Sequence, residues 1–203
     1  MVYLNSKIIV SAVVVVLAVA LIYIMFFSSQ EYSFGQGVEE INSFWAKQDL
    51  KPNYLTSPLK VYAIEKSSLT ELKADLTSFR DSLEKKPDSE DKEKLMLLTE
   101  TEIELIDNAL LQKENFNSID FFDSVQYNFD VLCSSMNKID EFESNLLLQK
   151  ESAETVNEKI IAFSSDYPSE AGQANITELK LNINSAENLA QLNDFITALK
   201  GAC

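Results

Sequence analysis

The chain is predicted to be all-α, with an N-terminal transmembrane helix followed by an antiparallel helical bundle. Three observations carry that prediction. An uncharged apolar run extends from Ile8 to Phe27, glycine and proline number only four each in 203 residues, and apolar residues recur three and four apart along most of what remains. A twenty-residue helix is about 30 Å long, the thickness of a bilayer's hydrocarbon. So few turn residues do not build an all-β fold, and a 3–4 repeat is the period of a helix that buries one face.

Between Ile8 and Phe27 stand fourteen Ile, Val, Leu or Phe residues, with no charge, proline or glycine. On an insertion scale these favour the bilayer by about 4–8 kcal/mol. A cleaved signal peptide is the alternative, but its apolar core is shorter and ends in small residues. Here the run closes on Met25-Phe26-Phe27, which is bulky, and Ser28-Ser29-Gln30 is a weak cleavage site. A retained anchor is therefore expected over residues 8–27, with the lipid bilayer as its partner. Lys7 precedes the run, whereas Glu31, Glu39 and Glu40 follow it. The positive-inside rule then leaves residues 1–7 as a short cytoplasmic stub and the rest outside the cytoplasm. Residues 28–37, with Gly35-Gln36-Gly37, read as a flexible joint. Residues 38–203 read as an acidic helical-bundle domain, large enough to hold one core.

Lys7 is the sole charge before residue 28, so residues 28–203 carry 16 basic against 32 acidic side chains, a net of −16. That field repels nucleic acid, which is not expected as a partner.

The first helix is expected from about Val38 to Gln48, with Ile41, Phe44 and Trp45 on one side. Pro52, Asn53 and Pro58 mark an irregular connection. Leu59 to Glu65, with Val61, Tyr62 and Ile64, is rich in β-formers and reads as extended. Ser68 with Glu71 forms a capping-box pattern, opening a helix whose stripe is Leu69, Leu72, Leu76, Phe79 and Leu83. Pro87 stops it. The next helix is expected from about Ser89 to Gln112, with Leu95, Leu98, Ile103, Ile106 and Leu110 inward. A separate helix is expected to open at Ser118 and to carry Phe122, Val125, Phe129, Leu132, Met136 and Ile139 in heptad spacing. Leu146 resumes that stripe after Glu143 interrupts it, as at the end of a bundle. Val156, Ile160 and Phe163 mark a shorter helix over 152–164, ended by Asp166-Tyr167-Pro168. A last helix, broken near Asn182–Asn184, reaches Lys200 with Leu189, Leu192, Ile196 and Leu199 inward, and Gly201 stops it.

The chain contains no histidine. Ser-His-Asp and Cys-His catalysis and histidine metal sites are thereby excluded. Two cysteines cannot hold a structural zinc, and Gly35-Gln36-Gly37 lacks the length and the Lys-Ser/Thr of a phosphate loop. Asp88, Glu90, Asp91 and Glu93 lack an EF-hand pattern and read as a helix start favoured by the dipole. Glu102 and Glu104, and Asp140, Glu141 and Glu143, read as solvated faces. No metal, cofactor or catalytic residue is expected. Of Phe121, Phe122, Tyr127 and Phe129, the second and fourth read as core, and Phe121 and Tyr127 as a second contact surface.

Cys133 and Cys203 make a single candidate pair, either two free thiols or, outside the cytoplasm, a disulfide. Closing that 70-residue loop would contribute about 4 kcal/mol in the chain-entropy model. Asn175-Ile176-Thr177 fits the N-glycosylation pattern. The expected function is non-catalytic: a single-pass protein presenting its bundle outside the cytoplasm for protein–protein contact or envelope structure. The alternative is a ligand-binding or sensory module acting with a partner membrane subunit, which a buried polar residue lining a pocket would favour.

Overall fold

Phe34, Val38, Ile41 and Trp45 repeat at intervals of four, three and four, and the first helix, α1 (Phe34–Lys47), buries all four of them. The computed structural model describes residues 32–181 and 186–203, so the expected stub 1–7, anchor 8–27 and first part of the joint, 28–31, lie outside the described residues. Among the described residues no helix is long and apolar enough to cross a membrane. Phe34–Cys203 forms one unit, and it is helical, without strands among the described residues.

Helix α1 starts four residues earlier than expected, so Gly35-Gln36-Gly37 is not a flexible joint. Gly37 is buried against Leu95, and a Cβ there would overlap that side chain. The glycine is needed for close approach of two helices.

After a 3-10 turn at Pro52–Tyr54 comes α2 (Pro58–Ala63). The extended segment expected at Leu59–Glu65 is therefore mostly helical. Pro58 sits in the first turn, where its fixed φ suits a helix and its missing N–H costs nothing. Helix α3 (Lys66–Glu84) begins before Ser68, and no side chain caps it. Glu71 instead accepts from the Gln48 side chain of the α1 terminus at 2.9 Å, so its carboxylate serves a tertiary bond rather than a capping box. All five residues of the expected stripe, Leu69 through Leu83, are buried, and the helix ends ahead of Pro87.

Helix α4 (Glu90–Val125) opens where expected, with the Ser89 hydroxyl accepting from Lys92 N at 3.1 Å. It then continues far past Gln112. Ser118 caps nothing; its hydroxyl donates back to the Glu114 carbonyl inside the helix. The expected heptad helix is instead cut twice, giving α5 (Phe129–Ser134) and α6 (Met136–Asp166). Asn128 caps α5 by accepting from Val131 N. The separate helix expected at 152–164 is the second half of α6, with Val156, Ile160 and Phe163 buried as its spacing requires. Helix α7 (Pro168–Gln173), a 3-10 turn at Ile176–Glu178 and α8 (Ala186–Gly201) complete the chain. Gly201 lies within α8, and no described glycine has positive φ. The break expected at 182–184 lies outside the described residues.

Cross-helix pairs give the directions. Lys73–Asp107 and Lys66–Glu114 set α3 against α4 head to tail. Glu104–Lys159 and Phe122–Phe142 do the same for α4 and α6, and Asp140–Lys200 with Phe142–Phe195 for α6 and α8. Helix α1 runs alongside α4 in the same direction, with Phe34 N on Asp91 and Trp45 on Glu102. Helix α4 is thus covered by α1, α2, α3 and α6. At its far end Phe122, Leu132, Ile139, Phe142, Leu146, Ile196 and Leu199 form one buried cluster.

Candidate functional site

Helix α4 buries Lys94, Thr99, Thr101, Glu102, Asn108, Gln112 and Asn115 as well as its apolar residues. Burying a polar group without a partner costs about 1–3 kcal/mol, so each of these needs an account. The threonines satisfy themselves, Thr99 donating to Leu95 O and Thr101 to Leu97 O, each at 2.7 Å. Lys94 pairs with Glu90 at 2.7 Å and Glu170 at 2.5 Å, and its ammonium lies 5.0 Å from the centre of the Tyr167 ring. Hydrogen bonds to Glu170 and Glu90 hold that lysine above its usual range.

Glu102 corrects an expectation. Instead of lying on a solvated face it is 4 % exposed, and Trp45 Nε1 donates to its Oε2 at 2.6 Å. Burial pushes its carboxyl up to about 7, while the Trp45 bond pulls the other way. Glu104 is half-buried and pairs with Lys159 at 2.5 Å.

The remaining amides, Asn108, Gln112 and Asn115, meet Gln149 of α6. Asn108 Nδ2 donates to the Gln149 backbone carbonyl at 2.8 Å, Gln112 Nε2 to Asn108 Oδ1 at 3.3 Å, and Asn115 Nδ2 to Gln149 Oε1 at 2.5 Å. This relay leaves Gln112 Oε1 and Asn115 Oδ1 buried with no hydrogen-bond partner in the protein. Gln112, Asn115 and Gln149 line a cleft of about 300 Å³ together with Pro58, Phe116, Ile119, Leu146, Leu189, Gln191 and Leu192. None of these residues is charged. Clefts of this size and lining are the usual form of a small-molecule site.

The residues singled out in the sequence lie elsewhere. Cys133 of α5 and Cys203, two residues past α8, form a disulfide with Cα atoms 5.3 Å apart. Asn175 is exposed in a turn at φ 54°, next to exposed Thr177. Asp88 and Glu90 form i,i+4 pairs with Lys92 and Lys94, and Asp91 accepts from Phe34 N at 2.9 Å. Among the described residues no group of three or more acids or cysteines is placed to hold a metal ion. Phe122 is core, but Phe129 is 61 % exposed, because the break at Tyr127-Asn128 turns it away from the heptad face. Tyr127 is also exposed, and Phe121 packs on the cluster under Lys138. Glu143, the interruption in the stripe, is exposed and paired with Lys200.

The fold and this site define an all-α bundle with an amide-lined cleft between α4, α6 and α8. No family model matches the chain, and neither a curated protein nor a solved structure is similar to it.

Proposed function

We propose that the protein is a single-pass, membrane-anchored binding module whose helical bundle lies outside the cytoplasm and takes a small ligand in the amide-lined cleft. One observation carries the binding part: Gln112 and Asn115, two buried amides that line the cleft, each keep an oxygen with no partner in the protein. Structural amides are normally satisfied, so a pair left bare beside such a space favours a ligand over packing alone. The reading is non-catalytic. It rests on the absence of histidine from the sequence and on Glu102, whose carboxyl is raised by burial and faces an indole rather than a second acid.

The location rests on the apolar run 8–27 and Lys7, supported by a disulfide chemistry that suits an oxidising compartment. Labelling intact cells with a membrane-impermeant thiol reagent tests it. Labelling of Cys133 and Cys203 in intact cells only after reductant is expected. Labelling only after lysis sinks the external location. The cleft itself is tested on the full chain in lipid nanodiscs with a small-fragment set, followed through the side-chain amide signals of Gln112, Asn115 and Gln149. Fragments that shift these signals, and fail to do so in Leu189→Trp, are the expected result.

A second reading, protein–protein contact, is favoured by Tyr127 and Phe129, which are 89 % and 61 % exposed at the entry to the helix carrying Cys133. Large aromatics of this kind are common at interfaces.

A further inference from the structure

The geometry points to an uncharged, mostly apolar small molecule bearing an N–H or O–H donor as the ligand of the α4–α6–α8 cleft. This inference rests on the binding reading above and concerns the ligand's class.

The orientation of Asn108 and Gln112 follows from chemistry. The backbone carbonyl of Gln149 can only accept, so Asn108 must turn its Nδ2 toward it. Asn108 Oδ1 then faces Gln112, which must answer with Nε2, and Gln112 Oε1 is the atom left over. Gln112 is 3 % and Asn115 5 % exposed, both residues line the cleft, and each carries a buried oxygen with no hydrogen-bond partner in the protein. The unpaired Gln112 oxygen, fixed as an acceptor by that chain of bonds, calls for a donor on the ligand. A ligand carrying only acceptors would leave that oxygen unpaired and add its own repulsion.

Five further lining residues, Phe116, Ile119, Leu146, Leu189 and Leu192, are apolar and call for an apolar body. An apolar cavity of about 150 Å³ already admits benzene, so a space of about 300 Å³ has room for a fused bicyclic ring. None of the lining residues is charged. An ion entering here would shed its hydration with no opposite charge to meet it, which excludes ammonium and carboxylate groups from the buried end of the ligand.

Three probes of similar size separate these requirements: indole, with one N–H; naphthalene, with none; and tryptamine, with an added ammonium. Each is titrated at known free aqueous concentration into the full chain in lipid nanodiscs, followed by the ¹⁵N side-chain amide signals of Gln112, Asn115 and Gln149. Indole is expected to bind about tenfold tighter than naphthalene, which is about 1.4 kcal/mol and in line with one net hydrogen bond. It is also expected to bind tighter than tryptamine. Gln112→Leu should abolish the preference for indole over naphthalene without weakening naphthalene, and Asn115→Leu serves the same purpose if the first variant fails to fold. Leu189→Trp, checked by circular dichroism, should block all three.

Equal binding of indole and naphthalene, unchanged by Gln112→Leu, overturns the donor requirement while leaving the cleft a binding site. Tighter binding of tryptamine overturns the uncharged class. If no probe and no member of the fragment set moves the amide signals, the binding reading itself fails.

Discussion

Glu102 is buried in the core, and burial makes it hold its proton to a higher pH than an ordinary glutamate does. An ordinary glutamate titrates at 4.5, and burial raises this one to about 7. Between those values the folded chain keeps a proton that the unfolded chain has lost, so stability falls as pH rises through that window and the loss is complete above about pH 7. The gap corresponds to about 3 kcal/mol. Glu102→Gln keeps an acceptor for Trp45 Nε1 and has no proton to lose. The variant is expected to gain about 3 kcal/mol over the parent in urea unfolding at pH 8.5 and little at pH 4.5. Trp45, the single tryptophan, reports the same event directly. Its emission should titrate near pH 7 in the parent and stay flat in Glu102→Gln; a flat parent profile would sink the assignment.

Gly37 shows what one position contributes to an element. Alanine normally stabilises a helix by about 1 kcal/mol relative to glycine. At Gly37 the added methyl would overlap the side chain of Leu95, which is itself fully buried. Overpacking of this kind costs about 1–3 kcal/mol, so Gly37→Ala should destabilise the bundle by up to about 2 kcal/mol net. Gly35→Ala meets only the end of the Gln173 side chain and should be close to neutral. Chemical unfolding of the two variants side by side decides this. Equal stability would mean that α1 and α4 are not packed as described. Helix α4 follows the same logic on a larger scale. Its polar stretch Lys113-Glu114-Asn115 resembles a helix end when read along the chain, yet each side chain has a use in mid-helix. Lys113 reaches the carbonyls of Val61 and Tyr62, Glu114 pairs with Lys66, and Asn115 faces Gln149.

At the scale of the whole bundle, the disulfide ties α5 to the end of α8 around the cluster of Phe122, Leu132, Ile139, Phe142, Leu146, Ile196 and Leu199. Lys200 adds pairs to Glu143 at 2.5 Å and Asp140 at 3.1 Å, and those bonds hold the lysine above its usual range. The bridge closes a loop of 70 residues, and removing it should cost about 2–4 kcal/mol. A Cys133→Ser, Cys203→Ser double variant is expected to show that loss in urea unfolding without reductant, and the parent to match it once reduced. If reductant leaves the parent's midpoint unmoved, the bridge is not a support of the fold.

Much of the fold follows from local rules. The stripe Leu69 to Leu83, the Ser89 cap, the stop ahead of Pro87 and the triplet Val156, Ile160 and Phe163 can all be read directly, because period, capping and proline chemistry act within a turn or two. The candidate cleft could not be read that way. Asn108, Gln112, Asn115 and Gln149 look like ordinary polar positions, and they become buried only because α4 is enclosed by four other helices and α6 folds back along it. The heptad run from Phe122 to Ile139 carries the same lesson. Its spacing is compatible with one long helix, but two breaks fold it back on itself, so Phe122, Leu132 and Ile139 still meet in one cluster while Phe129 is left outside. By itself, then, the amino-acid order determines a helical chain, its apolar faces and an anchor-like run at residues 8–27. Only the tertiary structure decides which polar side chains are buried and whether the two cysteines meet, because both depend on what lies against a helix from outside and no local period records that.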